Sequence, residues 1–154
     1  MDETKEPPLI IVIRGRPAPQ GSKIATRYGI REASKLLMPW RNQIVSSCVE
    51  QNINQGKLIT DPVEIFIDFL FHRPKSHYGT GKNSNILKDS ASHYPISRGT
   101  GDIDKLCRAS LDGLSLPSGG ILLEDDSLVV NLRAKKTYAT KDSFQGAFIH
   151  IWKL

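Results

Sequence analysis

The chain has 154 residues, of which 39% are hydrophobic and 24% are charged, and its formal net charge is +5. These values exclude a chain that is disordered throughout and fit one compact domain over residues 1–154. No apolar run approaches the ~20 residues that a membrane-spanning helix needs, so we expect no membrane partner.

The chain begins with a short strand and a basic loop. The first residues, MDETKEPPL, are acidic and proline-rich, unlike a secretory signal peptide, and we expect a cytoplasmic protein. Residues 9–13 form a β-branched run that predicts the first strand. The Gly- and Pro-rich stretch after it carries Arg14, Arg16 and Lys23. Such a loop can offer N–H groups and cationic side chains to a phosphate, or it can be an ordinary surface connection.

A helix and a second strand follow in the chain. Residues 38–55 are predicted to be helical because apolar side chains recur there at helical spacing, and Gly56 suits a C-terminal stop. The members of that stripe are Trp40, Ile44, Cys48 and Val49. Residues 62–71 alternate between apolar side chains and other side chains, which predicts a half-buried strand. Cys48 and Cys107 have no metal-ligand spacing and form no disulfide framework, so we expect both to be reduced and partly buried.

A long irregular segment is predicted over residues 73–101. It carries Lys75, Lys82 and Lys88 among histidines and tyrosines, and its histidines lack the tight spacing of a zinc site. A loop of this length inside a compact domain is usually functional or disordered. Basic side chains interleaved with aromatic rings suit contact with nucleic acid, and we predict that these three lysines bind DNA.

The residues most suited to chemistry lie in the run G-D-I-D-K-L-C-R, residues 101–108. In an extended segment Asp102 and Asp104 share a face while Ile103 points to the core. Asp104 is then a suitable N-cap for a helix over residues 105–114, and Arg108 lies one turn further on. Hard oxygen ligands at this junction suit Mg²⁺ or Mn²⁺. The alternative is a capped helix with an Asp104–Arg108 ion pair.

A second acidic group precedes the last two predicted strands, residues 128–138 and 145–152. It consists of Glu124, Asp125 and Asp126, and the strand after it is expected to return beside the first acidic run. Residues 101–126 carry six acidic and two basic residues, whereas the chain as a whole is basic. This distribution fits a nucleic-acid hydrolase, whose basic surface holds phosphates while its carboxylates hold a metal ion. A non-catalytic nucleic-acid-binding module remains the alternative.

The two acidic runs together carry a family resemblance. G-D-I-D-K-L-C-R-A-S-L-D-G-L followed by E-D-D-S-L-V-V-N-L-R-A-K-K-T-Y resembles the RusA-type Holliday junction resolvases, closest to the versions in phages and prophages. P-A-P-Q-G-S-K and H-R-P-K-S-H-Y-G-T-G-K-N-S-N-I-L-K-D-S fit the same relatives, so that the resemblance covers most of the chain.

The resemblance implies a homodimeric Mg²⁺-dependent endodeoxyribonuclease that cuts four-way DNA junctions in a bacterial or phage-infected cell. Asp102, Asp104 and Asp126 match the acidic residues of the family, which are its metal ligands. Arg108 stands where the best-known family pattern has a catalytic lysine, and arginine can stabilise charge but is a poor proton donor. Lys105 is the other cation here and a candidate for DNA binding. A nuclease for flaps or forks remains an alternative to a junction resolvase.

The predicted fold is α/β (α+β), a single domain in the order β-α-β-α-β-β. The strands are expected to form a mixed sheet, with both helices packed on it.

Overall fold

The structure is a computed structural model that describes residues 6–21, 23–27, 29–32 and 35–154, and only the backbone of residues 23–26 and 29–32. Strand β1 is Leu9–Arg14, and a small hairpin of β2, Lys23–Thr26, and β3, Gly29–Glu32, follows it. The remaining elements are α1, Leu37–Glu50; β4, Val63–Phe71; α2, Ile103–Leu114; β5, Val129–Tyr138; and β6, Gly146–Lys153. The side chain of Lys23 lies outside the described residues.

The four long strands form a mixed sheet in the order β1-β6-β4-β5. β6 lies antiparallel to both β1 and β4, whereas β4 and β5 run parallel. The parallel pair requires a crossover, and α2 together with the irregular segment provides it. The predicted mixed sheet with two helices is therefore confirmed, and the β2–β3 hairpin was not predicted.

The helices cover one face of the sheet, and the core lies between the helices and that face. β4 forms because its apolar residues alternate, and Val63, Ile65, Ile67 and Phe69 are fully buried on the helix side. The two helices are joined in the core by a hydrogen bond of 3.1 Å from Trp40 Nε1 to Ser110 Oγ. No helix among the described residues is long and apolar enough to cross a membrane.

Helix α1 is shorter than predicted. It ends at Glu50, and a separate short turn, Ile53–Gly56, follows it. Val49, placed in the inner stripe by the sequence, is 64% exposed, whereas Ser47 and Cys48 are buried. Gln51 turns away to the edge of the sheet instead, where its side chain accepts a bond from the Val12 N–H (3.0 Å) and donates one to the Val12 carbonyl (2.7 Å). These bonds occupy the open edge of β1.

Both cysteines are free and buried, which confirms the expectation from their spacing. Burial raises the pKa of the Cys48 thiol to about 11. Burial, with a smaller contribution from the nearby Asp104 carboxylate, raises the pKa of the Cys107 thiol to about 11. Both thiols therefore stay protonated at neutral pH, and we assign them no chemical role.

Candidate functional site

The acidic residues of the first run lie where α2 begins. Gly101 has φ +85°, and Asp102 is the N-cap, in an extended conformation, without a side-chain capping bond. The first helical hydrogen bond runs from Leu106 N to the Asp102 carbonyl (3.0 Å). Asp104 therefore lies inside the first turn, where its negative charge suits the helix dipole.

Three predictions about this run were wrong. Asp104 is not the N-cap, and the pair Asp102 and Asp104 does not lie on one face of an extended segment. Ile103, predicted to point to the core, is 40% exposed. The physical reason is that the helix starts at Ile103, two residues earlier than predicted, so that successive residues turn by helical spacing instead of alternating.

An acidic groove of about 540 Å³ lies between α2 and β5. Asp104, Arg108 and Asp112 line it from α2, and Asp126 lines it from the short turn before β5. Leu132 and Ala134 of β5 form its floor, together with Cys107 and Leu111. The expected return of the second acidic run beside the first is therefore confirmed. Asp112 is a residue of the groove that the sequence-based assignment did not include.

The carboxylates of the groove act on one another. Desolvation raises the pKa of Asp126, and the neighbouring Asp125 and Asp112 raise it further. In contrast, the N–H of Ser127 donates to Asp125 Oδ1 (2.9 Å) and lowers the pKa of that carboxyl. Carboxylates held this close repel each other, and the repulsion is relieved when one of them takes up a proton or when they bind a cation. Among the described residues, no three His, Cys, Asp or Glu side chains converge as a ready-made metal site.

Arg108 is the cation of the groove. It is exposed, and no ion pair of the described residues includes it. The structure therefore does not show the alternative ion pair between Arg108 and Asp104. The guanidinium is thus available to a ligand in the groove.

Asp102 and Lys105 flank Ile103 and Asp104, two residues that line the groove, and we call this flanking position its rim. Lys105 Nζ is 3.5 Å from Asp102 Oδ2, and the Asp102 side chain is 72% exposed. Asp102 is absent from the residues that line the groove, although the sequence resemblance predicts it to be a metal ligand. Its exposure leaves the carboxylate able to change rotamer at little cost.

Lys136 is a further residue near the site that the sequence-based assignment missed. Its Nζ donates to the Gly101 carbonyl (2.7 Å), and desolvation lowers its pKa while the charge of Asp102 opposes that shift. The signal was present in the alternation of β5, because Leu132, Ala134 and Lys136 share one face of the strand. The lysine fastens the start of α2 to the sheet.

The loop after β1 supports the same junction from the other side. Arg16 Nη2 donates to the Gly99 carbonyl (2.7 Å), and Gln20 N donates to the Lys105 carbonyl (3.0 Å). A Cβ on Gly101 would lie 2.8 Å from Pro19 Cγ. The Gly- and Pro-rich loop after β1, which the sequence offered as a phosphate-binding loop, therefore packs against the acidic run. Arg14, also predicted to bind DNA, lies 4.5 Å from the centre of the Phe144 ring.

The other predicted DNA-binding residues lie in the irregular segment. Lys75, Lys82 and Lys88 are all exposed. Lys75 and Lys88 line one groove, whereas Lys82 lies on a turn outside it. The segment contains only short turns and isolated bridges, as the sequence predicted.

A comparison with known protein families identifies the family of this chain. The sequence model described as Endodeoxyribonuclease RusA matches residues 15–151, which include both acidic runs. The chain belongs to the RusA endodeoxyribonuclease family. It is therefore an endonuclease that acts on DNA, from a family that resolves Holliday junctions and is in general dependent on divalent metal ions. No curated protein matches the chain.

In this RusA-family chain, Gly101→Ala is expected to disturb the acidic run. The substitution adds both positive-φ strain and a clash with Pro19, and we expect it to lower the melting temperature and to reduce junction cleavage at least tenfold. Gly119→Ala is the matched control, because Gly119 has φ +98° with nothing within 4 Å. Equal cleavage by the two variants would show that crowding against Pro19 does not disturb the site.

Proposed function

We propose that this chain is a Mg²⁺-dependent endonuclease that cuts four-way DNA junctions at the acidic groove. The observation that carries the proposal is that Asp104, Arg108 and Asp126 line one groove, although Asp126 is remote from the others in sequence. Carboxylate oxygens are hard donors, and this donor set fits Mg²⁺, with Mn²⁺ as a substitute.

The roles of the residues follow from their positions. Asp104 and Asp126 would hold the cation, and Asp102 would join them from the rim. A bound divalent cation supplies Lewis acidity toward water and phosphate. Arg108 faces the same groove and stabilises the charge that grows on the phosphate oxygens during cleavage. Lys136 holds the Gly101 carbonyl and so fixes where α2 begins. Lys105 offers positive charge to the DNA backbone at the rim.

A homodimer is part of the proposal, since two sites related by a twofold axis would give paired nicks on a symmetric junction. The sheet face that the described elements leave uncovered supports it, because it carries a row of partly exposed aromatic side chains. His150 lies between Phe66 (ring centres 5.7 Å apart) and Trp152 (6.0 Å apart) in this row. The face measures about 20 by 25 Å, from ~4.8 Å between strands and ~3.3 Å per residue. A second copy packed there would remove this surface from water.

Cleavage of defined DNA substrates tests the function. The labelled substrates are a four-way junction, a flap, a fork and a linear duplex of the same sequence, each with Mg²⁺ or with EDTA. We expect paired nicks in the four-way junction with Mg²⁺ only, and light scattering should give twice the 17.1 kDa chain mass. Preference for the flap or the fork would replace the junction assignment, and cutting in EDTA would contradict the metal. The cytoplasmic location stays a prediction.

A further inference from the structure

A second groove, of about 830 Å³, lies away from the acidic residues. One wall is the irregular segment after β4, and the other is the connection between β5 and β6. We call it the loop groove. The residues that carry the argument are Lys75, Tyr78, Asn85, Lys88 and Lys141.

The charge of the loop groove has one sign. Arg73, Lys75, Lys88 and Lys141 line it, and no carboxylate is among its lining residues. Four cations around one cavity repel each other and attract an anion. A cavity of this volume has room for a ligand of nucleotide size.

The wall of the loop groove is held by specific contacts. Lys88 N donates to the His77 carbonyl (2.8 Å), and Gly79 N donates to the Ile86 carbonyl (3.0 Å). Arg73 anchors the base of the wall, because its guanidinium lies 4.2 Å from the centre of the Tyr138 ring and donates to the Ser92 carbonyl (2.7 Å). The groove is therefore a built feature of the fold.

Tyr78 brings an aromatic ring into this basic cavity. Lys141 Nζ lies over one face of the ring, 5.2 Å from its centre, and also donates to Asn85 Oδ1. A partly exposed ring beside cations is the arrangement that binds unpaired nucleotides, with the base stacked on the ring and the phosphate beside the cations. In a double helix the bases stack on each other, so that no base is free to stack on the ring.

We propose that the loop groove holds an unpaired nucleotide of the DNA substrate, with its base on Tyr78 and its phosphate beside Lys88 and Lys141. The inference rests on the proposed function to the extent that DNA is the substrate. Ala134 lines the acidic groove and Ala139 lines the loop groove. Five residues at ~3.3 Å each separate them by about 17 Å, or about five nucleotides of a B-form strand. The groove therefore binds DNA that has opened a short distance from the cut.

Binding of a labelled ten-residue oligothymidylate in EDTA tests the proposal without cleavage. Tyr78→Leu is expected to weaken binding about tenfold through loss of one stacked base, and Tyr78→Phe is expected to bind like the unmodified chain. Lys141→Ala should weaken binding and reduce the salt slope by about 0.7, whereas Tyr78→Leu should leave the slope unchanged. Lys57→Ala, an exposed cation outside the loop groove, is the control.

Unchanged affinity of Tyr78→Leu for the oligothymidylate would overturn the proposal, even if Lys141→Ala binds weakly. The groove would then contact only the phosphates of the DNA. Duplex of the same length separates the two forms of DNA further. We expect Tyr78→Leu to lose affinity for the single strand only, and an equal loss for both would overturn the proposal. The readout is independent of cleavage, so that failure of the nuclease assignment leaves the oligothymidylate result interpretable.

Discussion

Asp104→Asn and Asp126→Asn are each expected to reduce single-turnover cleavage of a four-way junction by at least about 10³-fold. Mutation of a residue that only orients a metal ligand costs about 10–100-fold, and the loss of a ligand costs more. Junction binding should stay intact or become tighter, because each substitution removes a negative charge that repels phosphate. Gel shift in EDTA measures binding, and quenched-flow or manual sampling measures cleavage.

Asp61→Asn is the matched control for this pair, because Asp61 is exposed and lies before β4, outside the acidic groove. It should cleave like the unmodified chain. Wild-type rates in Asp104→Asn or Asp126→Asn would remove that residue from the site.

The third carboxylate is decided by a comparison of Asp102→Asn with Asp112→Asn. The family resemblance assigns Asp102, and we expect its loss to abolish cleavage as well. Asp112 lines the groove, where its charge raises the pKa of Asp126. An inactive Asp112→Asn with an active Asp102→Asn would transfer the ligand role to Asp112.

Arg108→Ala is expected to reduce the single-turnover rate by about 10²-fold, the scale of losing one electrostatic donor to a transition state. Arg108→Lys should retain much of the activity, because lysine still supplies a cation. The melting temperature should change little in either variant, because no ion pair of the described residues includes Arg108. Thermal melting and single-turnover cleavage of the same preparations measure both quantities.

A different pattern would contradict the role of Arg108. An Arg108→Ala protein that melts lower and cleaves at full rate would make the side chain structural. Lys105, at the rim, and Lys136, at the start of α2, would then be the cations to test in the same assay.

Local patterns predicted most of the sheet and both helices. The alternation over Val63–Phe71 is regular enough to fix a strand and its buried face. The hairpin at Lys23–Thr26 and Gly29–Glu32 was missed because neither strand, KIAT or GIRE, alternates between apolar and polar side chains. Val49 was misplaced because i, i+4 spacing alone does not say which neighbour faces the core.

The sequence predicted the residues of the candidate site better than their geometry. Two acidic runs with a family resemblance marked Asp104 and Asp126, which the fold brings to one groove. The sequence placed the start of α2 two residues too late. The chain turns at Gly101, whose φ is positive, so that Asp102 becomes the N-cap, and a D-x-D pattern does not reveal this turn. Lys136 was missed because its contact with the Gly101 carbonyl spans 35 residues, and the alternation of β5 gives only the face on which the side chain lies.

Location of the bound cation tests the central claim most directly. Fe²⁺ with ascorbate and peroxide, used in place of Mg²⁺, cuts the polypeptide near the position that the metal occupies, and mass spectrometry reads the fragments. We expect breaks near residues 102–108 and near Asp126, suppressed by excess Mg²⁺ and absent in Asp104→Asn. Mg²⁺-sensitive breaks elsewhere in the chain, with none beside these residues, would contradict the claim that the acidic groove is the metal site.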